Sequence, residues 1–328
     1  MKFGSVPLSE ALGGILAHSV PLKEGRMRKG KVLGSSALDQ LRNAGITEVV
    51  VAQLEDGDIE ENAAASSIAE AITARDSGLR CTNAATGRVN ILAECAGIAE
   101  IDAEAIEALN LIHPMITVAT VAPFARMIEG GMVATVKIIS YGVAEKDVTR
   151  ACDMAREALG LRQAKYRTAT LIQTVIGESD AAKGLSSTQK RLAALGIELT
   201  GQDVVSHDID ELSEAIRSAQ GEVVLILTAS ATSDIRDTAP AALLAAGGEI
   251  TAFGMPVDPG NLLFFGVLGN KPVIGLPGCA RSPALNGADW VMERLLCGVE
   301  VSQTDIARMG VGGLLKEIAS RPQPRALK

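Results

Sequence analysis

Between Thr168 and Leu296 the sequence alternates regularly between short apolar, strand-like runs and helix-like runs, and this alternation constrains the fold more than any other feature. Regular alternation of this kind is typical of parallel strands joined by crossover helices. We therefore expect an α/β fold with a three-layer, doubly wound and mostly parallel sheet. A hairpin turning at 268–271 is expected before the last strand. The predicted strands are 168–176, 197–205, 223–228, 249–253 and 272–276, and the predicted helices are 187–195, 209–219, 238–246 and 284–296.

The first half of the chain has a less regular pattern, which indicates an α+β region. The change of pattern near 161–167 divides the chain into an α+β region (1–165), an α/β domain (166–300) and a C-terminal extension (301–328) with a linker-like tail. The predicted helices of the first region are 36–44, 59–75, 103–112 and 147–159, and its predicted strands are 48–54, 116–121 and 132–140.

The segment 276–283 links the last predicted strand to the last predicted helix and is the strongest candidate for a binding loop. Gly278 has no Cβ to keep a ligand away from the backbone, Ser282 is a good N-cap, and Pro283 suits the first helical position. Free amides and the helix dipole would favour an anion such as phosphate. The alternative is a connection that binds nothing. Cys279 is interpreted as a residue lining the loop, because no histidine lies near it in sequence to activate its thiol.

Polar residues also follow the other predicted strands, at the sheet edge where ligands of such folds gather. The stretch 228–237 offers hydroxyl and amide donors, 258–261 would form a wall beside it, and Lys183, Arg236 and Arg281 add positive charge. The predicted cofactor-binding residues are Thr228, Ala229, Ser230, Thr232, Ser233, Arg236, Asp258, Pro259, Gly260, Pro277, Gly278, Cys279, Arg281 and Ser282.

Two aspartates in this region have alternative interpretations. Asp237 stands where it could cap the following helix or bind a ligand. Asp234 has no capping position, and a carboxylate beside a phosphate site usually needs a metal. Asp234 and Asp237 are therefore the candidate catalytic residues and the candidate ligands of Mg²⁺.

The composition excludes several classes of function. A formal net charge of −8 and an aromatic content of 2% disfavour a nucleic-acid surface, which needs a broad basic face and stacking platforms. Five cysteines without CxxC spacing and only three histidines disfavour structural zinc and a disulfide framework. We find no apolar run of membrane-spanning length and no signal-peptide pattern, so a cytoplasmic protein without a membrane partner is expected.

Three blocks of the second half resemble, in order, elements of the molybdopterin-binding family that includes molybdopterin adenylyltransferase, molybdopterin molybdenumtransferase and gephyrin. Arg236–Ala241 is similar to the family's RDxTPEA element, Asp258–Asn261 to its PGKP loop, and Leu276–Gly278 to its LPGNP loop. Val6–Ala17 resembles the amino terminus of the molybdenumtransferases, which implies a related first region. Almost the whole chain resembles the front portion of bacterial fusions that continue into a molybdenum cofactor nucleotidyltransferase-like module.

The sequence departs from the family pattern at the proposed ligand loops. Ala229–Thr232 stands where the family has a GGTG loop, Cys279 replaces the Asn of LPGNP, and Asn261 replaces the Lys of PGKP. With these added Cβ atoms the loop can still bind a phosphorylated ligand, but it is less suited to position a nucleotide and Mg²⁺ for catalysis.

The resemblance implies a protein that binds molybdopterin or the molybdenum cofactor and acts in cofactor synthesis, carriage or insertion. Its phosphate would lie on the amides of Gly278–Ser282 near Arg281, and its pterin against 228–233 and 258–260. One alternative is a Mg²⁺-dependent molybdopterin adenylyl- or molybdenumtransferase. Another is a non-catalytic assembly module that docks on a molybdoenzyme or a nucleotidyltransferase. The resemblance also implies a homo-oligomer.

Overall fold

The computed structural model describes residues 1–177 and 182–315. The chain divides into two compact units, the first made of Met1–Cys95 with Ala99–Arg162, the second of Ala96–Ile98 with the chain from Gln163 onward. The expected mixed α/β architecture is confirmed. The three-part division at residues 165 and 300 stays a prediction, and residues 316–328 of the predicted tail lie outside the described residues.

The elements up to Arg162 are short strands interspersed with helices. The strands are β1 (Lys2–Pro7), β2 (Ile15–Leu16), β3 (Val20–Pro21), β4 (Arg26–Met27), β5 (Glu48–Gln53), β6 (Asp58–Glu60), β7 (Leu79–Cys81), β8 (Arg88–Ala93), β9 (Gly97–Ile101), β10 (Ile116–Thr120), β11 (Arg126–Met127), β12 (Met132–Ile138), β13 (Gly142–Ala144) and β14 (Leu159–Arg162). The helices are α1 (Ser35–Asn43), α2 (Glu61–Ile72), α3 (Ala103–Asn110) and α4 (Glu145–Met154).

The elements after Arg162 follow the strand and helix alternation of the sequence. The strands are β15 (Thr168–Val175), β16 (Glu198–Ser206), β17 (Val223–Leu227), β18 (Glu249–Phe253), β19 (Phe264–Leu268) and β20 (Lys271–Leu276). The helices are α5 (Ala182–Ala193), α6 (Ile209–Ser218), α7 (Thr238–Ala245), α8 (Gly287–Leu296) and α9 (Gln303–Arg308).

The first unit contains two apolar cores. One lies between 8 and 51, where buried Leu38 and Leu41 of α1 pack with Val49 and Val51 of β5. The other joins α2 and α4 to the antiparallel sheet with strand order β10-β12-β8-β7.

Three predicted helices of the first unit are shorter than expected, and the one predicted at 103–112 ends at Asn110. Residues 58–60 pair with 142–144 as β6, and α2 starts only at Glu61 because Glu60 caps it. The helix predicted to reach Leu159 ends at Met154, since Glu157 adopts a left-handed φ of 55° that a helix cannot continue through. Leu159 then begins β14.

The second unit is built on one six-stranded sheet with the order β16-β15-β17-β20-β19-β18. The strands β16, β15, β17 and β20 are parallel, while β19 is antiparallel to both β20 and β18. The predicted hairpin is present, but its second arm is β20, the last strand itself. Two reversals through β19 bring β18 back to the direction of β20. The carboxyl ends of β15, β16, β17, β18 and β20 therefore lie at the same edge.

Helices contact this sheet through residues that alternate along the strands. Ile172, Val224 and Ile226 share a buried cluster with apolar residues of α6 and α7. Gly184 of α5 lies against Gln173 and Leu227, the residues that follow Ile172 and Ile226 and so point to the opposite face. The predicted three-layer arrangement as a whole stays a prediction.

The described residues contain no helix that is both long enough and apolar enough to span a bilayer.

Candidate functional site

The loops that follow β17 and β20 meet at the carboxyl edge of the sheet. We call the residues 228–237, 258–261 and 277–282 the rim. The guanidinium Nη2 of Arg281 donates to the carbonyl oxygen of Thr228 at 2.8 Å, which joins the first rim segment to the third. The hydroxyl of Ser187 in α5 donates to the carbonyl oxygen of Arg281 at 2.6 Å. The loops 228–237 and 277–282 are thus in direct contact.

The segment after β20 is a 3₁₀ turn, Gly278–Arg281, followed by a further loop before α8. Ser282 does not cap the helix, contrary to the sequence prediction. Asn286 is the N-cap, and its capping box with Asp289 starts α8 at Gly287. The hydroxyl of Ser282 instead accepts a hydrogen bond from the amide of Ala284 at 3.2 Å.

Two amides at the N-terminus of α8, where the sequence predicted donors free for an anion, are bonded within the protein. The amide of Gly287 donates to the carbonyl oxygen of Pro259 at 2.7 Å, and the amide of Ala288 donates to Asn286 Oδ1 at 2.9 Å. Gly260 is required here, because its φ is 141° and a Cβ would come within 2.7 Å of the Gly287 nitrogen. The loop 258–260 therefore covers the end of the helix.

Asp258 is held by backbone bonds on both sides. Its amide donates to the carbonyl oxygen of Gly313 at 2.8 Å, and its carbonyl oxygen accepts from the amide of Leu315 at 2.9 Å. The wall predicted at 258–261 is consequently a packed part of the second unit, with Pro259 and Gly260 buried.

A buried arginine of α5 organises the loop after β20. All five N–H donors of Arg191 have acceptors: Nε donates to Asp289 Oδ1 at 2.5 Å, and the two terminal nitrogens donate to backbone carbonyl oxygens at 2.9–3.4 Å. Arg191 and Asp289 are each only 6% exposed at the side chain. The buried pair of Arg191 and Asp289 therefore fixes the conformation of the loop after β20. The carbonyl oxygens belong to Ser187, Ala280, Ser282 and Ala284.

The segment after β17 is shaped by hydroxyl groups. Thr228 Oγ1 donates to the carbonyl oxygen of Ser230 at 2.6 Å and lies 3.3 Å from Thr232 Oγ1. The amide of Ala229 donates to Thr174 Oγ1 at 2.9 Å, and this hydroxyl also contacts His207 Nδ1 at 2.8 Å. The ends of β15, β16 and β17 are thereby linked.

Asp237 and Asp234 have different partners. Asp237 is the N-cap of α7, and it accepts from the amides of Thr238 at 2.8 Å and Ser233 at 3.1 Å. Asp234 accepts from Arg236 Nε at 2.8 Å, Nη2 at 3.1 Å and the Arg236 amide at 2.8 Å. These bonds lower the pKa of Asp234 to about 2, with the guanidinium as the largest cause. They also raise the pKa of Arg236.

Both carboxylates predicted to hold Mg²⁺ are therefore engaged with protein donors. Among the described residues, no group of three or more His, Cys, Asp or Glu side chains is arranged to hold a metal ion. A metal at Asp234 would compete with the Arg236 guanidinium for the same carboxylate.

The predicted binding residues fall into an accessible and a buried set. The buried residues build the loops and cannot meet a ligand through their side chains without rearrangement. The side chain of Lys183 lies outside the described residues. Exposed are Ala229, Ser230, Ser233, Arg236, Gly278 and Ser282; half-buried are Asp258, Cys279 and Arg281; buried are Thr228, Thr232, Pro259, Gly260 and Pro277.

Three residues that determine the conformation of the loop after β20 are absent from the sequence predictions: Arg191, Asn286 and Asp289. The pattern Asn286-x-x-Asp289 is a possible capping box, but it competes with Ser282-Pro283 as a start signal for α8. No sequence signal distinguishes Arg191 from an exposed arginine of an amphipathic helix, because its acceptors are backbone carbonyls about ninety residues away.

Comparison with known proteins gives limited matches. The model of a domain of unknown function, DUF8806, matches residues 5–53, the region of the first apolar core. No curated protein sequence matches the chain.

The chain is also similar to solved structures, two of which are of proteins named for molybdopterin biosynthesis. The MoeA protein of Pyrococcus horikosii is 14% identical with a TM-score of 0.32, over 90% of this chain and 75% of that one. The MoaB enzyme of Thermus thermophilus is 14% identical with a TM-score of 0.29, over 40% of this chain and 89% of that one. A structure of MogA is 19% identical with a TM-score of 0.28, over 39% of this chain and 92% of that one. These scores are too low to support a conclusion about fold or function.

Proposed function

We propose that the second unit binds the phosphorylated pterin molybdopterin, or the molybdenum cofactor, at the rim and acts in cofactor synthesis, carriage or insertion. The observation that carries the proposal is the bond between Arg281 and the Thr228 carbonyl. It brings together the loop 228–237, which leads into the block Arg236–Ala241, and the loop 277–282, which follows directly on from the block Leu276–Gly278.

The chemistry of the accessible rim residues supports this ligand. Ser230 and Ser282 offer hydroxyl donors, and Arg281 offers a cation beside the exposed backbone of Gly278. Phosphate prefers such a combination of guanidinium and neutral donors. The buried threonines and the Arg191 pair keep the loops in place before a ligand arrives, which lowers the entropy cost of binding.

Binding is favoured over catalysis by the partners of the two aspartates. Asp237 caps α7 and Asp234 is paired with Arg236, so a Mg²⁺ ion would have to compete with these protein donors for either carboxylate. We therefore expect the protein to bind the pterin without transferring an adenylyl group or molybdenum.

Titration of the purified chain with molybdopterin tests the proposal. A Cβ on Gly278 would meet only Arg281 Nη1, at 3.8 Å, so the Cβ of Gly278→Trp fits the fold and its indole is expected to fill the space in front of the loop. Gly34→Trp is the matched control, because Gly34 is also exposed, has no atom within 4 Å of a Cβ and lies in the first unit. Saturable binding that Gly278→Trp abolishes and Gly34→Trp preserves is the expected result.

Other outcomes separate the alternatives. Turnover of adenylylated molybdopterin that disappears in Asp234→Asn would establish the transferase instead. Copurification with a molybdoenzyme or a nucleotidyltransferase, without affinity for the pterin, would establish the assembly module. The homo-oligomer and the cytoplasmic location stay predictions from the sequence.

A further inference from the structure

Three consecutive carbonyl groups under the rim are held by one helix. Arg191 of α5 donates to the carbonyl oxygens of Ala280 and Ser282, both at 2.9 Å, and Ser187 of α5 donates to that of Arg281 between them. A loop residue whose own carbonyl and both neighbouring carbonyls are fixed has little freedom of backbone conformation. The side chain of Arg281 consequently starts from a defined position.

Arg281 is the cation of the loop that remains accessible. It is half-buried and uses Nη2 to reach the carbonyl oxygen of Thr228, while Nη1 lies beside Gly278. A planar guanidinium anchored by one nitrogen can still present its other N–H groups to an anion.

Arg191 cannot itself meet a ligand. Its five N–H groups are all engaged, and its side chain is 6% exposed. Its partner Asp289 also accepts from the amide of Asn286 at 3.0 Å, which ties the clamp to the start of α8. Any influence of Arg191 on binding must therefore pass through the loop.

We propose that the buried pair of Arg191 and Asp289 positions Arg281 as the cation that receives the phosphate group of the ligand. The inference rests on the proposed function and assigns the recognition of the phosphate to a guanidinium rather than to the N-terminus of α8. Arg191 is a positioning residue, and Arg281 is the residue that touches the anion.

A double-mutant cycle on the full chain tests this, with inorganic phosphate as the probe and amide chemical shifts of the rim as the signal. Arg191→Lys keeps the charge opposite Asp289 but has three donors for five acceptors, so it releases loop carbonyls. Arg281→Gln removes the cation from the site. Each change is expected to weaken phosphate binding about tenfold or more, the effect of losing one charge-assisted hydrogen bond.

The cycle distinguishes positioning from general destabilisation. Because Arg191 acts through Arg281, the double variant is expected to bind no more weakly than Arg281→Gln alone. Leu192→Ala, at a fully buried neighbour on α5 whose apolar side chain cannot donate to the loop carbonyls, is the control for lost stability and should leave the dissociation constant unchanged. Should Arg191→Lys not fold, Ser187→Ala takes its place, since it removes only the bond to the Arg281 carbonyl.

The proposal is overturned by additive effects in the cycle, by an equal loss in Leu192→Ala, or by the absence of saturable phosphate shifts at the rim of the unmodified protein. Phosphate binding with the expected coupling, but no binding of molybdopterin, would refute the proposed function and leave the positioning role intact. If the protein binds molybdopterin but Arg281→Gln leaves phosphate binding unchanged, the positioning role is refuted and the proposed function stands.

Discussion

Two aspartates three positions apart illustrate how differently single residues of the rim are used. Asp237 has its carboxylate turned to the backbone, where it caps α7 and holds the amide of Ser233. Asp234 is paired with the side chain of Arg236, which is 87% exposed. The sequence placed both near a ligand loop, but only the conformation of the loop decides which one faces solvent.

The Asp234 pair gives a pH-dependent prediction. The pKa of Asp234 is about 2 because of the Arg236 guanidinium, so Arg236→Gln should raise that pKa toward its ordinary value of 3.8. It should stop short of that value, because the backbone amide of residue 236 still donates to Oδ1. Carboxyl NMR titration of both proteins measures the change.

The sign of the stability effect follows from the lowered pKa. The unfolded chain binds a proton at Asp234 at higher pH than the folded chain does, so the pair stabilises the fold above the unfolded pKa. That contribution is lost as the pH falls through the folded pKa near 2. If Asp234 titrates identically in the unmodified protein and in Arg236→Gln, the ion pair of Asp234 with Arg236 does not form in solution.

At the scale of elements, α8 shows how a capping residue sets the position of a loop. Its start at Gly287, rather than at 284, leaves room for the 3₁₀ turn and the residues that Arg191 holds. Most strands and helices of the second unit were predictable, because their apolar spacing is regular. The start of α8 was not, since Ser282-Pro283 and Asn286-x-x-Asp289 are both valid start signals and tertiary contacts choose between them.

Two alanine substitutions test this choice. Asn286→Ala removes the side-chain bond to the Ala288 amide and should lower the free energy of unfolding by about 1 kcal/mol. Ser282→Ala should change it by less than about 0.5 kcal/mol, as is usual for exposed positions. Urea unfolding of both variants provides the measurement. A larger loss in Ser282→Ala than in Asn286→Ala would place the cap where the sequence first suggested it.

At the scale of the whole molecule, the second unit has a self-contained sheet. All partners of β15 to β20 lie after residue 163, as do the apolar residues of α6 and α7 that cover one face. The candidate site is built entirely from loops of this sheet.

A fragment of residues 163–328 is therefore expected to fold alone. It should unfold in urea in a single cooperative transition, because its strand pairing and the α6–α7 core need no residue of the first unit. Ile226→Asp, which places a charge at a fully buried position of the central strand β17, is the control and should abolish the transition. A fragment that unfolds gradually, like the control, would contradict the expectation.

The sequence by itself determined the alternation of strands and helices after Thr168 and the presence of donor-rich loops after β17 and β20, because periodicity and turn residues are local signals. The tertiary structure alone decided that Asn286 caps α8, that the loop 258–260 covers the end of that helix, and that Arg191 lies buried among loop carbonyls. The reason is physical: a hydrogen bond between residues ninety positions apart depends on where the sheet brings their backbones, and no local pattern encodes that distance.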